Sequence, residues 1–582
     1  MKPSSDSSFD SLQQHLEAMS NRKQDWKNLP AQKKTALLKR MLRTMQDIDH
    51  RTWADHSIHR QGFDKASQIG RNLSGIEQLI NVSTIVGTLR ALIRTYTALD
   101  NSNSPPTLSQ RRTRPDGRNV LHTFPTTLQD KFNPLSMAGC TGEVWILPDK
   151  PVRQDFSPMG NVALVLGAGN QNFLAFGDVM HELFVKGNVC ILKHHPVRQF
   201  SDPFFEQLFA PLIEEHFFLS VSGDIALSQW LCHHDLIDSV HMTGGTATHD
   251  AIVWGAPAEQ TENKANNTPV LTKPMTSELG CITPWIVCSG ATWTAKELTH
   301  HARYLATCFT GQNSCNCLAP KLLVLDENWP QKEDFLTELR RCLNNMDTLP
   351  PYYPGTTARY AAFQEAYSEP EVEFVHSSRS SEREHGFGEQ LPWMLLHLDQ
   401  DSDPYALQNE AFAPVLAICS LPAENSSSAF LTQAVSFVNE KVWGTLSCTL
   451  LVHDSIQRRS GEMIEEAIQN LKYGTIGVNN WTAMAYTIDG GVWGAYPGEE
   501  LHNVASGIGF VRNAFMIQDV EKAVLRGPFR NVTQIALAES GSFPVSPSQC
   551  GSIADVLITA SLRNIGAVVR SFLLPSQPLR QT

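Results

Sequence analysis

The 582-residue chain has no long basic run, and its 47 Lys and Arg are outnumbered by 59 Asp and Glu, for a net charge of -12. The electrostatic footprint of a nucleic-acid-binding surface is missing, so no nucleic acid is expected as a partner. No stretch approaches the roughly 20 apolar residues that a bilayer-spanning helix needs. The opening "MKPSSDSSFDSLQQHLEAMSNRKQDW" also lacks the apolar segment of a secretory signal. The expectation is a cytoplasmic protein without an integral membrane segment. Twelve cysteines are too sparse for a disulfide scaffold, which leaves them as buried thiols, ligands or nucleophiles. Cys315 and Cys317 flank one asparagine, but no second spaced Cys or His pair lies near enough to complete a structural zinc site, so no metal is expected. A disulfide between cysteines so close in sequence would close only a strained ring.

What is present is ample apolar content, 42% of residues, in a chain long enough for about two to four domains. Leu37, Leu38, Met41, Leu42 and Met45 recur at helical spacing among basic residues, which predicts an amphipathic surface helix. Residues 97–119, rich in Asn, Ser, Pro and Arg, read as a long loop. "NVALVLGAGNQN" (161–172) and "GNVCILKHHP" (187–196) are apolar, β-branched runs, the first closed by a glycine cluster, and a helical pattern separates them. That is a β-α-β unit, and such units imply an α/β fold with a parallel sheet covered by helices. Further strand-like runs end at "TGGT" (243–246) and begin at "TPWIVCSG" (283–290). Glycine turns after parallel strands lie where open α/β sheets place ligands.

Five motifs in order carry a family resemblance. "GNQN" with Leu192-Lys193, "MTGGT" (242–246), "SELGCITPWIV" (277–287), "FTGQNSCNCLA" (309–319) and "NEAFAPVLAI" (409–418) resemble the ordered motifs of the aldehyde dehydrogenase superfamily. "GTIGVNN" (474–480) is a looser sixth. The departures mark a divergent branch: Cys281 stands for the second glycine after Glu-Leu-Gly, Gly169 for the tryptophan before the asparagine, and Ala413 for the Phe-Gly-Pro glycine. The resemblance implies a Rossmann-like dinucleotide-binding domain (1–140 and 158–276) and an α/β catalytic domain (277–475). It also implies a small bridging β element (141–157 and about 476–515) that makes a homodimer or homotetramer. Residues 516–582 form an extension whose amphipathic end could pack on the body or on a partner subunit.

The chemistry needs a nucleophile, because an aldehyde loses hydride only after its carbonyl has become tetrahedral. A cysteine thiolate suits the step, and Cys315 and Cys317 are the candidates. Cys317-Leu318-Ala319 matches the family's Cys-x-Ala, whereas Cys315 lies nearer the family's distance from Gly-Gln, so both stay open with Cys317 preferred. Glu278 can deprotonate the water that hydrolyses a thioester, although alone it also reads as a capping or solvated glutamate. Asn170 falls on the family's oxyanion asparagine. By resemblance, Lys193 approaches the adenosine ribose, Gly244 and Gly245 admit the pyrophosphate, and Glu410 and Phe412 hold the nicotinamide ribose and ring of NAD or NADP. Pro196 stands where many NAD-preferring members carry an acid, and His194, His195 and Arg198 offer phosphate partners, so NADP is expected to be accepted at least comparably. The expected activity is oxidation of a small-molecule aldehyde to a carboxylic acid through a cysteine thiohemiacetal and thioester. The alternatives are a CoA-acylating aldehyde dehydrogenase, for which a hydrolytic base is superfluous, and an inactive scaffold.

Overall fold

The computed structural model describes residues 5–108, 110–127, 130, 139–348, 350–378, 390–399, 402–423, 426–530 and 550–562. The expected β-α-β unit is present. β4 (Val162–Leu166) and β5 (Val189–Lys193) pair in parallel, with Leu166 opposite Lys193, and the helix Leu174–Met180 lies between them. Every residue of β5 is buried, as a continuous apolar strand covered on both faces should be. β6 (Phe218–Val221), β7 (Ser239–Thr243) and β8 (Met275–Glu278) complete the parallel part of a six-stranded sheet. Its register sets Thr243 opposite Glu278 and Leu166 opposite Met242, so Lys193, Thr243 and Glu278 share the carboxyl edge. Ligands of open parallel sheets sit at that edge.

The second sheet has eleven strands. β9 (Pro284–Val287), β10 (Leu322–Asp326), β12 (Trp393–Leu398), β13 (Val415–Leu421), β14 (Ser447–Leu451), β15 (Thr475–Val478) and β19 (Val520–Arg526) run parallel within it. β11 (Val372–Val375) closes one side antiparallel to β12. On the other side, β1 (Arg111–Thr113), β2 (Asn119–Phe124) and β3 (Thr141–Ile146) continue from β19 as an antiparallel flank. Separate cores form around the first sheet and on the two faces of the second. Four N-terminal helices, Ser5–Lys27, Ala31–Thr44, His50–Arg60 and Gln68–Ser102, join the first core, the amphipathic helix 31–44 contributing Leu38, Met41 and Leu42.

Several sequence expectations change here. Residues 97–102 extend the helix Gln68–Ser102, and Arg111–Thr113 is a strand, so the loop expected over 97–119 is only its middle. Ile69–Ser102 is long and apolar enough to cross a membrane, contrary to the sequence reading, but 72% of its most apolar window is buried inside the protein. β1 and β2, assigned to the dinucleotide-binding part, belong to the second sheet, and β15 lies inside that sheet too. β3 pairs with β19, a strand of the expected extension, and β19 pairs in turn with β15, so the expected bridging strand is hydrogen-bonded into its own chain's sheet. Glu521 and Lys522 make this strand look like surface, yet both are fully buried. Arg118 pairs with Glu521 at 2.8 Å, and the Lys522 ammonium donates to the carbonyls of Ile468, Gln469 and Leu471. Between β15 and β19, β16 (Trp493–Gly494) and β18 (Phe510–Val511) form a ribbon, while β17 (Gly507–Ile508) pairs with β8 beside Glu278. In the tail, the helix Cys550–Ser561 packs against Gln68–Ser102, and the rest of its expected amphipathic segment, 563–574, lies outside the described residues.

Candidate active site

The helix Ala295–Thr310 ends at Gly311, and the next three residues, Gln312, Asn313 and Ser314, all have positive φ (54°, 56° and 58°). Left-handed backbone costs about 1–2 kcal/mol per non-glycine residue. Two further outliers lie close by, Thr283 (φ 54°) and Phe412 (φ 41°). Sustained strain of this kind gathers where a fold must aim particular groups.

The left-handed run sends the two cysteines to different places. Cys315 is fully buried, with Sγ 3.5 Å from Thr356 Oγ1 and from the Phe412 carbonyl, and burial pushes its thiol up to about 11. Cys317 is half-buried and lines two cavities. Its Sγ lies 3.5 Å from Glu278 Oε1. Burial, then the carboxylates of Glu278 and Glu410, hold this thiol well above its ordinary range, against the opposing charge of Lys321. Burial also pushes Glu278 up to about 8, with Asp178 adding to the rise and Trp493 and Cys317 opposing it. Its Oε2 is buried without a hydrogen-bond partner.

The larger cavity, about 490 Å³, opens between the two sheets. Asn170, Gly244, Gly245, Glu278, Cys317, Glu410 and Phe412 all line it, so seven of the nine residues singled out for the site converge there. Lys193 is buried at the end of β5, its basicity lowered by burial against the attraction of Asp224, and it does not line the cavity. Gly245 caps the helix Thr246–Trp254, whose first turn faces the space. Glu410 Oε1 accepts the Cys281 N–H at 3.1 Å and pairs with Lys321 at 3.2 Å. A Cβ at Gly280 would lie 1.9 Å from Glu410 Oε2, so only glycine admits the carboxylate here.

The smaller cavity, about 50 Å³, lies on the other side of Cys317 and Glu278. Phe173, Leu174, Leu318, Trp481, Tyr486 and Trp493 give it an apolar, aromatic wall, and Glu278 is its only charged lining group. The Trp481 indole N–H donates to the Leu318 carbonyl at 2.7 Å, which fixes the ring beside the cysteine loop.

The expected phosphate partners are occupied elsewhere. The Arg198 guanidinium is buried and donates to the Gly169 carbonyl (2.8 Å), the Asn170 carbonyl, Asn172 Oδ1 (2.9 Å) and Ser57 Oγ (2.6 Å). Asn172 and Ser57 in turn bind the buried carboxylate of Glu77. His194 is buried against Ser220, and His195 accepts the Val197 N–H while stacking on Tyr353. Burial, then the charges of Lys193 and Arg198, lowers His195 to about 4, so its ring is neutral. The expectation that NADP is accepted keeps the missing acid at Pro196 but loses its phosphate partners, and Arg198 becomes the clamp of the Asn170 loop. Sequence reasoning missed Lys321, Trp481 and Trp493. The one available signal concerned Lys321, a lysine directly before the buried strand β10. His300 and His301 pack against each other and against Tyr304 and Phe529, and among the described residues no three His, Cys, Asp or Glu side chains group as a metal site requires.

A Rossmann-like sheet facing a second α/β sheet across a cleft, with a thiol and a carboxylate at its base, defines an α/β enzyme of the dehydrogenase type. The sequence profile of the Aldehyde dehydrogenase family matches residues 152–501, more than half of the chain, and the chain belongs to that family of oxidoreductases. No match was found among curated proteins. Among solved structures it is similar to a Mycobacterium tuberculosis aldehyde dehydrogenase complexed with NAD+, at 17% identity and TM-score 0.57 over 88% of each chain. It is similar also to an NADP-dependent glyceraldehyde-3-phosphate dehydrogenase from Bacillus halodurans C-125 complexed with NADP, at 15% identity and TM-score 0.57, covering 89% of this chain and 91% of that one. A putative aldehyde dehydrogenase from Burkholderia cenocepacia aligns at 16% identity and TM-score 0.58 over 88% of each chain. At these identities the likeness concerns the fold.

Proposed function

We propose that the protein oxidises an apolar, uncharged aldehyde to its carboxylic acid with NAD or NADP, using Cys317 as nucleophile and Glu278 as base. The observation that carries this reading is the 3.5 Å approach of Cys317 Sγ to Glu278 Oε1 at the one place where the two cavities meet. The larger cavity suits a dinucleotide: a helix N-terminus and two glycines favour a pyrophosphate at one side, and the Gly280 cradle sets Glu410 for a ribose at the other. Phe412, on the wall of this cavity, would back the nicotinamide ring, whereas Lys193 lies buried behind the cavity at the end of β5. When bound, the cofactor supplies the hydride acceptor.

The residues of the chain do the rest. Glu278 takes the Cys317 proton, and the thiolate adds to the aldehyde carbon, forming the C–S bond. The Asn170 amide and the Cys317 N–H hold the resulting oxyanion. After hydride departure a thioester remains on Cys317. Once Glu278 has released the thiol proton to solvent, it removes a proton from water, the hydroxide attacks the thioester carbon, the C–S bond breaks, and acid and thiolate separate. The aromatic cavity holds the aldehyde's substituent.

The test compares single cysteine variants. C317A should lose aldehyde-dependent NAD(P)H formation while still binding cofactor, and C315A should keep substantial turnover. Loss of turnover in C315A alone transfers the role to Cys315, and undiminished activity in both variants refutes a cysteine mechanism. Turnover of the wild type only when CoA is supplied refutes the hydrolytic step.

A further inference from the structure

Lys321 directly precedes β10 and is buried, with a side chain only 2% exposed. Its ammonium lies 2.9 Å from the Asn316 carbonyl, 3.0 Å from that of Cys281, and 3.2 Å from those of Cys317 and Ala319. Glu410 Oε1 is a fifth acceptor, also at 3.2 Å. An ammonium has three N–H donors, so the five acceptors share it. They come from three segments: the turn after Glu278, the cysteine loop, and the approach to β13. Two other bonds tie the same segments, since Glu410 accepts the Cys281 N–H and the Thr283 hydroxyl donates to the Cys317 carbonyl at 2.7 Å.

The direction of one carbonyl decides the consequence. In a trans peptide the C=O of Asn316 and the N–H of Cys317 point to opposite sides. Drawing the Asn316 carbonyl onto Lys321 therefore turns the Cys317 N–H away from the lysine, and that N–H donates to no backbone carbonyl of the described residues. We propose that Lys321 is the positioning residue of this reaction: its single ammonium orients the Asn316–Cys317 peptide so that the Cys317 N–H is free to donate to the oxyanion, and holds Glu410 at the base of the cofactor cleft. This inference rests on the reading of Cys317 as nucleophile. Electrostatics add to the geometry, because Lys321 is the positive charge that offsets Glu278 and Glu410 around the thiol.

The test separates charge from position in the full-length protein. Alkylation by iodoacetamide is followed at Cys317 as a function of pH, by peptide mass spectrometry, in wild type, K321M and K321R. NAD(P)H formed in the first turnover is followed in the same proteins. K321M removes the charge and should slow Cys317 alkylation at pH 8 roughly tenfold or more, with its profile displaced to higher pH. K321R keeps the charge, but a planar fork cannot sit at one point among five acceptors, so its alkylation profile should match wild type while its first turnover slows about tenfold or more. An unmoved alkylation profile in K321M, or wild-type first-turnover rates in K321R, overturns the inference. Should K321M fail to fold, K321R decides alone. Separately, wild-type Cys317 that alkylates no faster than Cys315 would refute the nucleophile reading and this inference with it.

Discussion

Burial raises the Glu278 carboxyl, the proposed base, to about 8. A carboxyl held at about 8 is protonated through most of the neutral range, so thioester hydrolysis should accelerate as pH rises through 8 and level off beyond it. Measured turnover against pH should show that rise, with a midpoint near 8. A rate independent of pH between 6 and 9 would contradict the assignment. The same shift has a stability cost of definite sign. Because the folded-state value lies above the ordinary glutamate value of 4.5, the protonated form is favoured by folding, and the contribution present below 4.5 is lost as pH rises through about 8. E278Q should therefore match wild type in thermal unfolding at pH 5 and exceed it at pH 9, by on the order of a few kcal/mol. Arg198 makes the contrasting case, a buried charge that is fully used. R198M should slow the first turnover roughly a hundredfold through the loosened Asn170 loop. It should also cost about 3–5 kcal/mol, because Glu77 is left buried without its cation. R198K should restore stability better than rate, since lysine cannot fork between two carbonyls.

At the scale of elements, the helix Ala31–Thr44 carries a charge where its amphipathic pattern calls for a surface. Lys34 is fully buried, its ammonium lies over the rings of Trp26 (4.5 Å), Phe156 (5.2 Å) and Tyr96 (5.6 Å), and it makes no hydrogen bond. Burial lowers it to about 7. A depressed folded value means that its stability contribution is present above the ordinary lysine range near 10.5 and is lost as pH falls through 7. K34M should thus be more stable than wild type at pH 6, by roughly 1–3 kcal/mol after cation–π attraction has offset part of the burial cost, and the gap should narrow by pH 10. Chemical denaturation at the two pH values measures it. β19 makes the converse point. Its sequence reads as exposed, yet removing everything after residue 515 would strip β3 and β15 of a shared partner, and the truncated chain should show no cooperative unfolding transition by circular dichroism.

Over the whole molecule, what the sequence disclosed and what it hid divide along a physical line. The β-α-β unit was legible in continuous apolar strands ending in glycine turns, whereas Asn170, Gly244, Gly245, Glu278, Cys317, Glu410 and Phe412 were singled out through the family resemblance of their motifs, and the fold gathers these seven around one cavity. Lys321, Lys522 and Lys34 were not legible, because a cation in sequence reads as solvated, and only three-dimensional contacts reveal carbonyls or rings gathered around it. The different surroundings of Cys315 and Cys317 were hidden for a related reason: they follow three successive left-handed residues, which no periodicity signals. The aromatic cavity is also a property of the whole fold, since its wall comes from segments around 80, 173, 318 and 481–493. With no cation to receive a charged substituent, kcat/KM for hexanal or benzaldehyde should exceed that for succinic semialdehyde by about a hundredfold or more, because leaving a carboxylate unpaired there costs several kcal/mol.

The pairing of Cys317 with Glu278 is tested most directly by a single experiment on E278Q, which keeps the shape and loses the base. Mixed with aldehyde and NAD(P)+ at pH 8, the variant should release one burst of NAD(P)H per active site and stall. Intact-protein mass spectrometry of the stalled enzyme should find one acyl group, and peptide mapping should place it on Cys317. Steady turnover in E278Q at the wild-type rate, or an acyl group on any other cysteine, would contradict the account.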